Sequence, residues 1–388
     1  MMTMEPSEEA KPTRSSTALI PGLPDDLALL CLARLPSRCR ATAAVTSTAW
    51  KAALSPSSID PVRRSLSLPS EAWLYLFLLS TTTTRFFFLD LLYRRLVPLL
   101  PPDIPSAYHV LPRQAASTTT HFFLLLYNTV TSSVLLFRCS GAGNPVSWTT
   151  TTVPTPHFSL PLWPTCIGLN SRLFIAGGCD FSRTTGVVGA LDDGGEWHQL
   201  PSLNEPRFMA AGLVHKGKIW VVGGRKMTGS GLKMVHSGEF YQEGEWKMVP
   251  GMWPEALQSM EETMPCLVEF KGKIYALKMG TNLVVVWDDA RNVWGCVGCF
   301  GEMYVEKGFK GKILSTRDEL WGVKEDPFMI FRIEISGEEV GELKAYYEEL
   351  KSSGRFKSLR TTRIDEEFGF DADDEYQGLL DSAFVTFS

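Results

Sequence analysis

A short apolar strand that ends in glycine recurs through most of this chain. The clearest copy, HKGKIWVVGG at 215–224, is a turn followed by four apolar residues and two glycines, which is typical of a buried β-strand. Related strands begin at residues 72, 122, 172, 218, 273 and 319, in steps of 46 to 55 residues. A repeat of this length predicts a β-propeller, and six repeats predict six blades.

Glycines and tryptophans occupy repeating positions within this pattern. Two of the strands end in a double glycine, which suits a positive φ angle or a close backbone approach. Four strands are followed, 21 to 28 residues after they begin, by a tryptophan that can fill the wedge between neighbouring blades. The predicted structural set is Gly177, Gly178, Gly223, Gly224, Trp148, Trp197, Trp246 and Trp294.

Residues 19–58 differ from the rest, because their apolar residues have helical spacing. Leu23, Leu27 and Leu30 share one helical face, and Pro24-Asp25-Asp26 is typical of a helix start. Pro36 ends that helix, and two further short helices are predicted before residue 56. A unit of this size is too small for an independent core, so its apolar face is expected to contact a partner.

The flanking segments carry weaker signals. The polar residues 1–16 predict disorder, and the prolines within 59–70 predict a stiff linker to a β domain spanning 71–388. Within that domain, 338–353 predicts a helical insert, and 364–388 contains eight carboxylates without Lys or Arg, which favours a solvated or disordered segment. Ser382–Ser388 has strand character, and we expect it to pair with the first repeat and close the propeller.

Two resemblances follow from these motifs. The pairs Leu23-Pro24 and Leu35-Pro36 with the closing Trp50 resemble an F-box, although the intervening 38–42 is more polar than the usual pattern. The strand, double glycine and tryptophan resemble the kelch repeat. Together they are similar to the plant-rich family of F-box/kelch-repeat proteins, which act as substrate receptors in cullin-based ubiquitin ligases.

This resemblance implies a non-catalytic role and a set of partners. The F-box would bind a Skp-type adaptor and, through it, a cullin, whereas the propeller would bind a protein client. The adaptor-binding residues that the resemblance implies are Leu23, Pro24, Leu27, Leu35, Pro36, Val45 and Trp50. The alternatives are a plain helical cap on the propeller, a kelch scaffold without a ubiquitin role, and a copper enzyme similar to galactose oxidase.

Client contacts are expected on loops at one end of the propeller, where Arg and Trp are common interface anchors. For Arg207 the alternative is that it supports its own loop. The candidates, which follow the double glycines or the tryptophan strands, are Arg183, Arg207, Arg225, Lys226 and Trp253.

Composition argues against several other classes of protein. The net charge of −5 without a basic stripe disfavours nucleic acid as a partner, and no apolar run is long enough to span a membrane. Without a signal-peptide pattern and with only eight cysteines, the chain is expected to be a reduced intracellular protein, cytoplasmic or nuclear. Cys296 and Cys299 have zinc-ligand spacing but no second pair. No catalytic, cofactor or metal site is therefore predicted.

Overall fold

The chain forms two compact units, Met1–Pro69 and Ser70–Phe387. Among the helices of the described residues, none combines the length and the apolar character that a membrane span requires. The computed structural model describes residues 18–68, 71–80, 84–90, 95–99, 108–118, 121–128, 130–131, 134–140, 150–152, 158, 160–180, 182–257, 265–278, 283–300, 311–316, 319–324, 329–335, 341–342, 358–363 and 376–387.

The first unit is helical, as predicted. Pro24 and Pro36 immediately precede the first two helices, and the Ser47 hydroxyl accepts a hydrogen bond from the Ala49 amide at 3.2 Å to cap the third. A small core of Leu32, Ala33, Ala43, Leu54 and Ile59 holds the unit together. The helices are α1 (Asp25–Ala33), α2 (Ser37–Thr46), α3 (Thr48–Ala53) and α4 (Pro56–Ser65).

Helix α4 corrects the linker predicted over 59–70, because the chain remains helical as far as Ser65. Pro56 fits the first turn of this helix, where its missing N–H leaves no bond unmade. Ile59 joins the core, and the buried Arg63 donates to the Ala33 carbonyl oxygen at 2.5 Å. The helical unit therefore extends beyond the boundary at 58 that the sequence suggested.

The second unit is an all-β propeller. Four of its sheets contain four antiparallel strands each, within the described residues. In the spatial order of each sheet they are β27 (Tyr376–Phe387), β1 (Glu71–Ser80), β2 (Thr84–Asp90) and β3 (Arg95–Leu99); β4 (Tyr108–Ser117), β5 (His121–Asn128), β6 (Val134–Ser140) and β7 (Thr150–Thr152); β8 (Thr165–Leu169), β9 (Arg172–Ala176), β10 (Val188–Leu191) and β11 (Trp197–Leu200); β12 (Ala211–His215), β13 (Lys218–Val222), β16 (Gly238–Gln242) and β17 (Glu245–Val249).

The remaining repeats do not form separate blades, so the prediction of six blades is wrong. The described residues form five large sheets, because the strands of the last two repeats lie in one nine-stranded sheet. Its two halves are joined where β21 pairs in parallel with β26 at Cys299↔Ser358. The strands are β18 (Cys266–Phe270), β19 (Lys273–Lys278), β20 (Leu283–Asp288), β21 (Val293–Phe300), β22 (Gly311–Ser315), β23 (Leu320–Lys324), β24 (Met329–Glu334), β25 (Gly341–Glu342) and β26 (Ser358–Arg363).

The C-terminal strand closes the propeller as the sequence predicted. β27 pairs antiparallel with β1, with Glu71 opposite Phe387 and Leu76 opposite Ser382. Strands β27, β4, β8, β12, β18 and β22 follow one another around the centre, and β22 contacts β27 to complete the ring. A cavity of about 360 Å³ is lined by residues of β4, β8, β12, β18 and β22.

Other predicted segments are described only in part. Residues 1–16 lie outside the described residues, as do most of 338–353 and the first half of the acidic segment. Within 338–353, Gly341 and Glu342 are extended in β25 rather than helical, since they pair with β21. The second half of the acidic segment belongs to β27, so it is part of a sheet rather than disordered.

The double glycines have the conformation that the repeat pattern predicted. Gly178 and Gly224 have φ angles of +116° and +92°. A Cβ atom at Gly178 would lie 2.6 Å from the Pro161 side chain, and one at Gly224 would lie 2.7 Å from the Phe208 carbonyl oxygen. Gly177 and Gly223 also have positive φ. These strand ends therefore exclude larger residues on both conformational and steric grounds.

Two of the four tryptophans predicted to fill the wedge between blades bond to the neighbouring sheet. Trp246 and Trp294 are buried, and their indole N–H groups donate to the Pro201 and Met252 carbonyl oxygens at 2.8 and 2.6 Å. Each acceptor lies just after the last strand of the preceding sheet, so each tryptophan joins two sheets. Trp197 is half-buried, and Trp148 lies outside the described residues.

Candidate functional site

The helical unit exposes part of the predicted adaptor-binding set. Val45 is 84% exposed and Leu27 is 45% exposed, and Pro24 is also on the surface. The other four residues are half-buried: Leu23, Leu35, Pro36 and Trp50. Leu35 and Trp50 pack against the small core, so they support the fold as well as any partner surface. The exposed members are the ones that a partner can cover without disturbing the unit.

For two of the residues, the prediction of client contacts on the propeller surface is wrong. Arg207 and Trp253 are both 0% exposed, so neither side chain reaches the propeller surface. Trp253 packs edge-on against Trp294 with ring centroids 6.2 Å apart. The alternative for Arg207, support of its own loop, is the one that the structure bears out, since its Nε donates to the Glu205 carbonyl oxygen at 3.2 Å.

Arg207 is the centre of a buried polar network. Its guanidinium lies 2.7 Å from the Glu239 carboxylate, and both side chains are 0% exposed. It also donates to the carbonyl oxygens of Gly223 and Ser237 at 3.1 and 2.7 Å and to the Ser237 hydroxyl at 2.9 Å. The network therefore ties the loop before β12 to the end of β13 and the start of β16.

Glu239 receives donors from the same loop. The Asn204 amide and the Glu205 amide donate to its carboxylate at 2.7 and 3.0 Å, and the Asn204 side chain adds a bond of 3.0 Å. Sequence reasoning missed Glu239, although a carboxylate between Gly238 and Phe240 was a usable signal. A buried charge is tolerated only with such a full set of partners.

Electrostatics in the network follow from burial. Burial lowers the pKa of Arg207, and the charges of Glu239 and Glu205 offset only part of that effect. Burial alone would raise the pKa of Glu205, but hydrogen bonds from Lys226 and Ser237 and the nearby cations outweigh it and leave this pKa below its ordinary value. Glu205 is therefore held as a carboxylate next to the surface.

Lys226, which pairs with Glu205, lies on a β-hairpin that projects after the double glycine of β13. The hairpin consists of β14 (Arg225–Thr228) and β15 (Gly231–Met234). The sequence predicted Arg225 and Lys226 as surface loop residues, and the structure places both, half-buried, on β14.

A groove of about 1030 Å³ runs between this hairpin and the segment that follows β17. Leu232 and Met248 are exposed apolar side chains in the groove, at 53% and 44%. We call this the hairpin groove; it is lined by Glu205, Arg225, Lys226, Leu232, Lys233, Met234, His236, Ser237, Met248, Pro250, Gly251 and Glu255.

The remaining predicted client residue lies elsewhere. The Arg183 side chain is 82% exposed and forms an ion pair with Asp180 at 3.0 Å. Hydrogen bonds from Ser182 and Arg183 hold the pKa of Asp180 well below its usual range. Arg183 does not line the hairpin groove. The structure thus brings together Arg225 and Lys226 but not the full predicted set.

One further cluster offers potential metal ligands. Within the described residues, Asp192, Glu196 and His198 place ligand atoms within 4.8 Å of one another near the exposed turn between β10 and β11. The His198 ring and the Asp192 carboxylate already bond to each other at 3.0 Å. These contacts account for the cluster without an ion.

Comparison with known proteins gives several similar chains, although no protein-family model matches. F-box/kelch-repeat protein At1g22040 of Arabidopsis thaliana is 28% identical over 247 residues, which is 60% of this chain and 47% of that protein. Putative F-box/kelch-repeat protein At3g27910 of the same plant is 31% identical over 147 residues, 37% of this chain and 36% of that protein. Kelch repeat protein C2 of Cowpox virus is 29% identical over 114 residues, 29% of this chain and 21% of that protein.

These matches are partial. The chain spans less than half the length of the curated relatives that it matches. Among solved structures, that of YjhT aligns with a TM-score of 0.38 at 14% identity, over 54% of this chain and 66% of that chain, which is too weak to support an argument.

Proposed function

We propose that this chain is the substrate-recognition subunit of a ubiquitin ligase. Its similarity to plant relatives supports an F-box/kelch-repeat protein of plant type. In this role the helical unit binds a Skp-type adaptor, which connects it to a cullin, and the propeller binds a protein client in the cytoplasm or nucleus. Support comes from the names of the plant relatives, which combine an F-box with kelch repeats. The division of this chain into a helical unit and a propeller agrees with that combination.

The proposed mechanism is proximity. A chain that holds the client at one unit and the adaptor at the other keeps client lysines at a high effective concentration near the conjugating enzyme. This requires two binding surfaces and no catalytic group in the chain. The observation that carries the proposal is that each unit exposes apolar side chains suited to a partner: Val45 and Leu27 on the helical unit, Leu232 and Met248 on the propeller.

Adaptor binding is tested with the double variant Leu27→Asp, Val45→Asp. Both side chains are exposed, so the helices should still form, whereas a carboxylate buried at an apolar interface costs several kcal/mol. We expect co-purification of a Skp-type adaptor with the full chain to fall by about tenfold or more. Circular dichroism then checks that helix content is retained.

Val130→Asp is the matched control, because Val130 is 82% exposed and lies on the propeller. It adds the same charge at a similarly exposed valine and should leave adaptor co-purification unchanged. Equal adaptor recovery with the double variant and the wild-type chain would contradict the proposal. It would favour a kelch scaffold without a ubiquitin role.

A further inference from the structure

The β14–β15 hairpin has two chemically different faces. Lys226 lies directly opposite Lys233, so both side chains are on one face of the hairpin. The pairs Arg225↔Met234 and Met227↔Leu232 are on the other face, because successive side chains of a strand point to opposite sides. The hairpin thus presents a lysine face and a mainly apolar face.

Two lysines opposite each other are unfavourable in a two-stranded sheet. The Glu205 carboxylate pairs with Lys226 and also accepts a hydrogen bond from the Ser237 hydroxyl at 2.7 Å. Lys233 is exposed on the groove wall. In a chain of net charge −5, the groove lining carries three cations, Arg225, Lys226 and Lys233, against two carboxylates, Glu205 and Glu255, so positive charge is in excess there. Glu205 neutralises Lys226, and an anionic group from a partner would pair with Lys233 in the same way.

Strand β15 also offers backbone groups. Within the described residues it pairs with β14 alone, so its outer edge is open for another strand. Peptides bind such edges in an extended conformation through main-chain hydrogen bonds, and alternate side chains then fill the flanking surfaces. Three of the four residues of β15, Leu232, Lys233 and Met234, line the hairpin groove, together with Met248 and Pro250.

We propose that the hairpin groove binds an extended client segment in which acidic and apolar residues alternate. The segment adds as a third strand to β15, its carboxylates lie on the Lys226–Lys233 face, and its apolar side chains lie against Leu232, Met234 and Met248. This proposal rests on the proposed function, because it identifies the chemical class of the client.

The groove wall is positioned before any ligand arrives. Lys226 is tied to Glu205, and the Glu205 amide is held by the buried Glu239 carboxylate at 3.0 Å. Glu239 is in turn paired with Arg207. A surface ordered in this way loses little conformational entropy on binding, which favours affinity for a short segment.

The test uses fluorescence anisotropy with the full chain and labelled peptides of about eight residues, a length within that of ordinary strands. One peptide alternates Glu and Leu, a second has the same composition with its Glu and Leu residues in separate blocks, and a third alternates Lys and Leu. We expect the alternating acidic peptide to bind at least about tenfold more tightly than either of the others. Equal affinity for the two acidic peptides would refute strand addition, and equal affinity for the basic peptide would refute the charge assignment.

Lys233→Glu is the decisive variant, and it should reduce the affinity for the alternating acidic peptide by about tenfold or more. Lys247→Glu is its control, because Lys247 is an exposed lysine of strand β17, outside the hairpin, that does not line the groove. An affinity that Lys233→Glu leaves unchanged would overturn the proposal. The proposal would also be overturned if light scattering detected a dimer that Lys233→Glu disrupts. A second copy of the chain would then occupy the groove.

Adaptor co-purification separates this proposal from the broader one. Lys233→Glu should retain the adaptor, because the substitution lies in the propeller. A chain that binds adaptor but shows no preference for the alternating acidic peptide would contradict only the groove assignment. A chain that prefers the peptide but never retains adaptor would contradict the ubiquitin-ligase role.

Discussion

Removal of residues 382–388 is expected to lower the melting temperature of the propeller by about 12–24 °C. The deletion removes the partners of Glu71–Leu76, a stretch of six paired residues at the closure of the propeller. At about 1 kcal/mol per backbone hydrogen bond, the loss approaches 6 kcal/mol, and each kcal/mol lowers the melting temperature of a large domain by about 2–4 °C. It also leaves β1 as an open edge. Scanning calorimetry or circular dichroism measures the change.

Addition of the missing strand as a free peptide provides the control. A peptide with the sequence of Ser382–Ser388, SAFVTFS, should raise the melting temperature of the truncated chain in a concentration-dependent way, because it binds the folded state. A scrambled peptide of the same composition should not. If the truncated chain melted at the same temperature as the full-length chain, residues 382–388 would contribute nothing to closure.

Glu239→Gln is expected to reduce the free energy of unfolding by about 3–5 kcal/mol, because it leaves the buried Arg207 charge without its carboxylate. The NH2 group of the amide would also face either the donors of Asn204 or those of Glu205 and Arg207, depending on which carboxylate oxygen it replaces. Denaturant unfolding monitored by tryptophan fluorescence measures this change, since Trp246 lies close to the network and its carbonyl oxygen accepts from Asn204 at 2.8 Å.

Glu245→Gln is the matched control in the neighbouring strand. Its ion pair with Lys247 is exposed, with side chains 62% and 45% accessible, so the substitution should cost at most about 1 kcal/mol. The double variant Arg207→Met, Glu239→Gln removes both buried charges and should be more stable than Glu239→Gln alone. Equal effects of Glu239→Gln and Glu245→Gln would refute the structural role of the buried pair.

Low pH is expected to reduce the contribution of Glu205 to the free energy of unfolding. The pKa of Glu205 is lower in the folded chain than its ordinary value of 4.5, so the folded state binds this proton less readily than the unfolded state does. The stabilisation from this group is present above about pH 4.5 and is lost as the pH falls through the lower folded value. Glu205→Gln should therefore destabilise the chain at pH 7, and the difference from wild type should shrink towards pH 3. A difference that does not depend on pH would contradict this reading of Glu205.

Local patterns determined much of the fold. The apolar strands and the double glycines at 177–178 and 223–224 predicted where the sheets lie. This was possible because strand formation in a short β-branched run and a positive φ angle at a glycine are both determined by residues adjacent in sequence. The first helix was predicted from Pro24 at its start and from Pro36, which ends it. The closing strand was predictable because a propeller without it would leave an edge open.

Long-range partners decided what the sequence could not. Arg207 and Trp253 looked like surface anchors, yet burial of Arg207 depends on Glu239, which lies 32 residues away along the chain. The joining of the last two repeats through β21 and β26 likewise depends on residues far apart in sequence.

The sequence by itself thus determined the repeat, the helical start and the closing strand, since these depend on neighbouring residues and on their apolar spacing. Only the tertiary structure decided that Arg207 is internal, that two repeats share a sheet and that Lys226 and Lys233 face one groove. The physical reason is that burial and charge pairing are set by groups which only folding brings together.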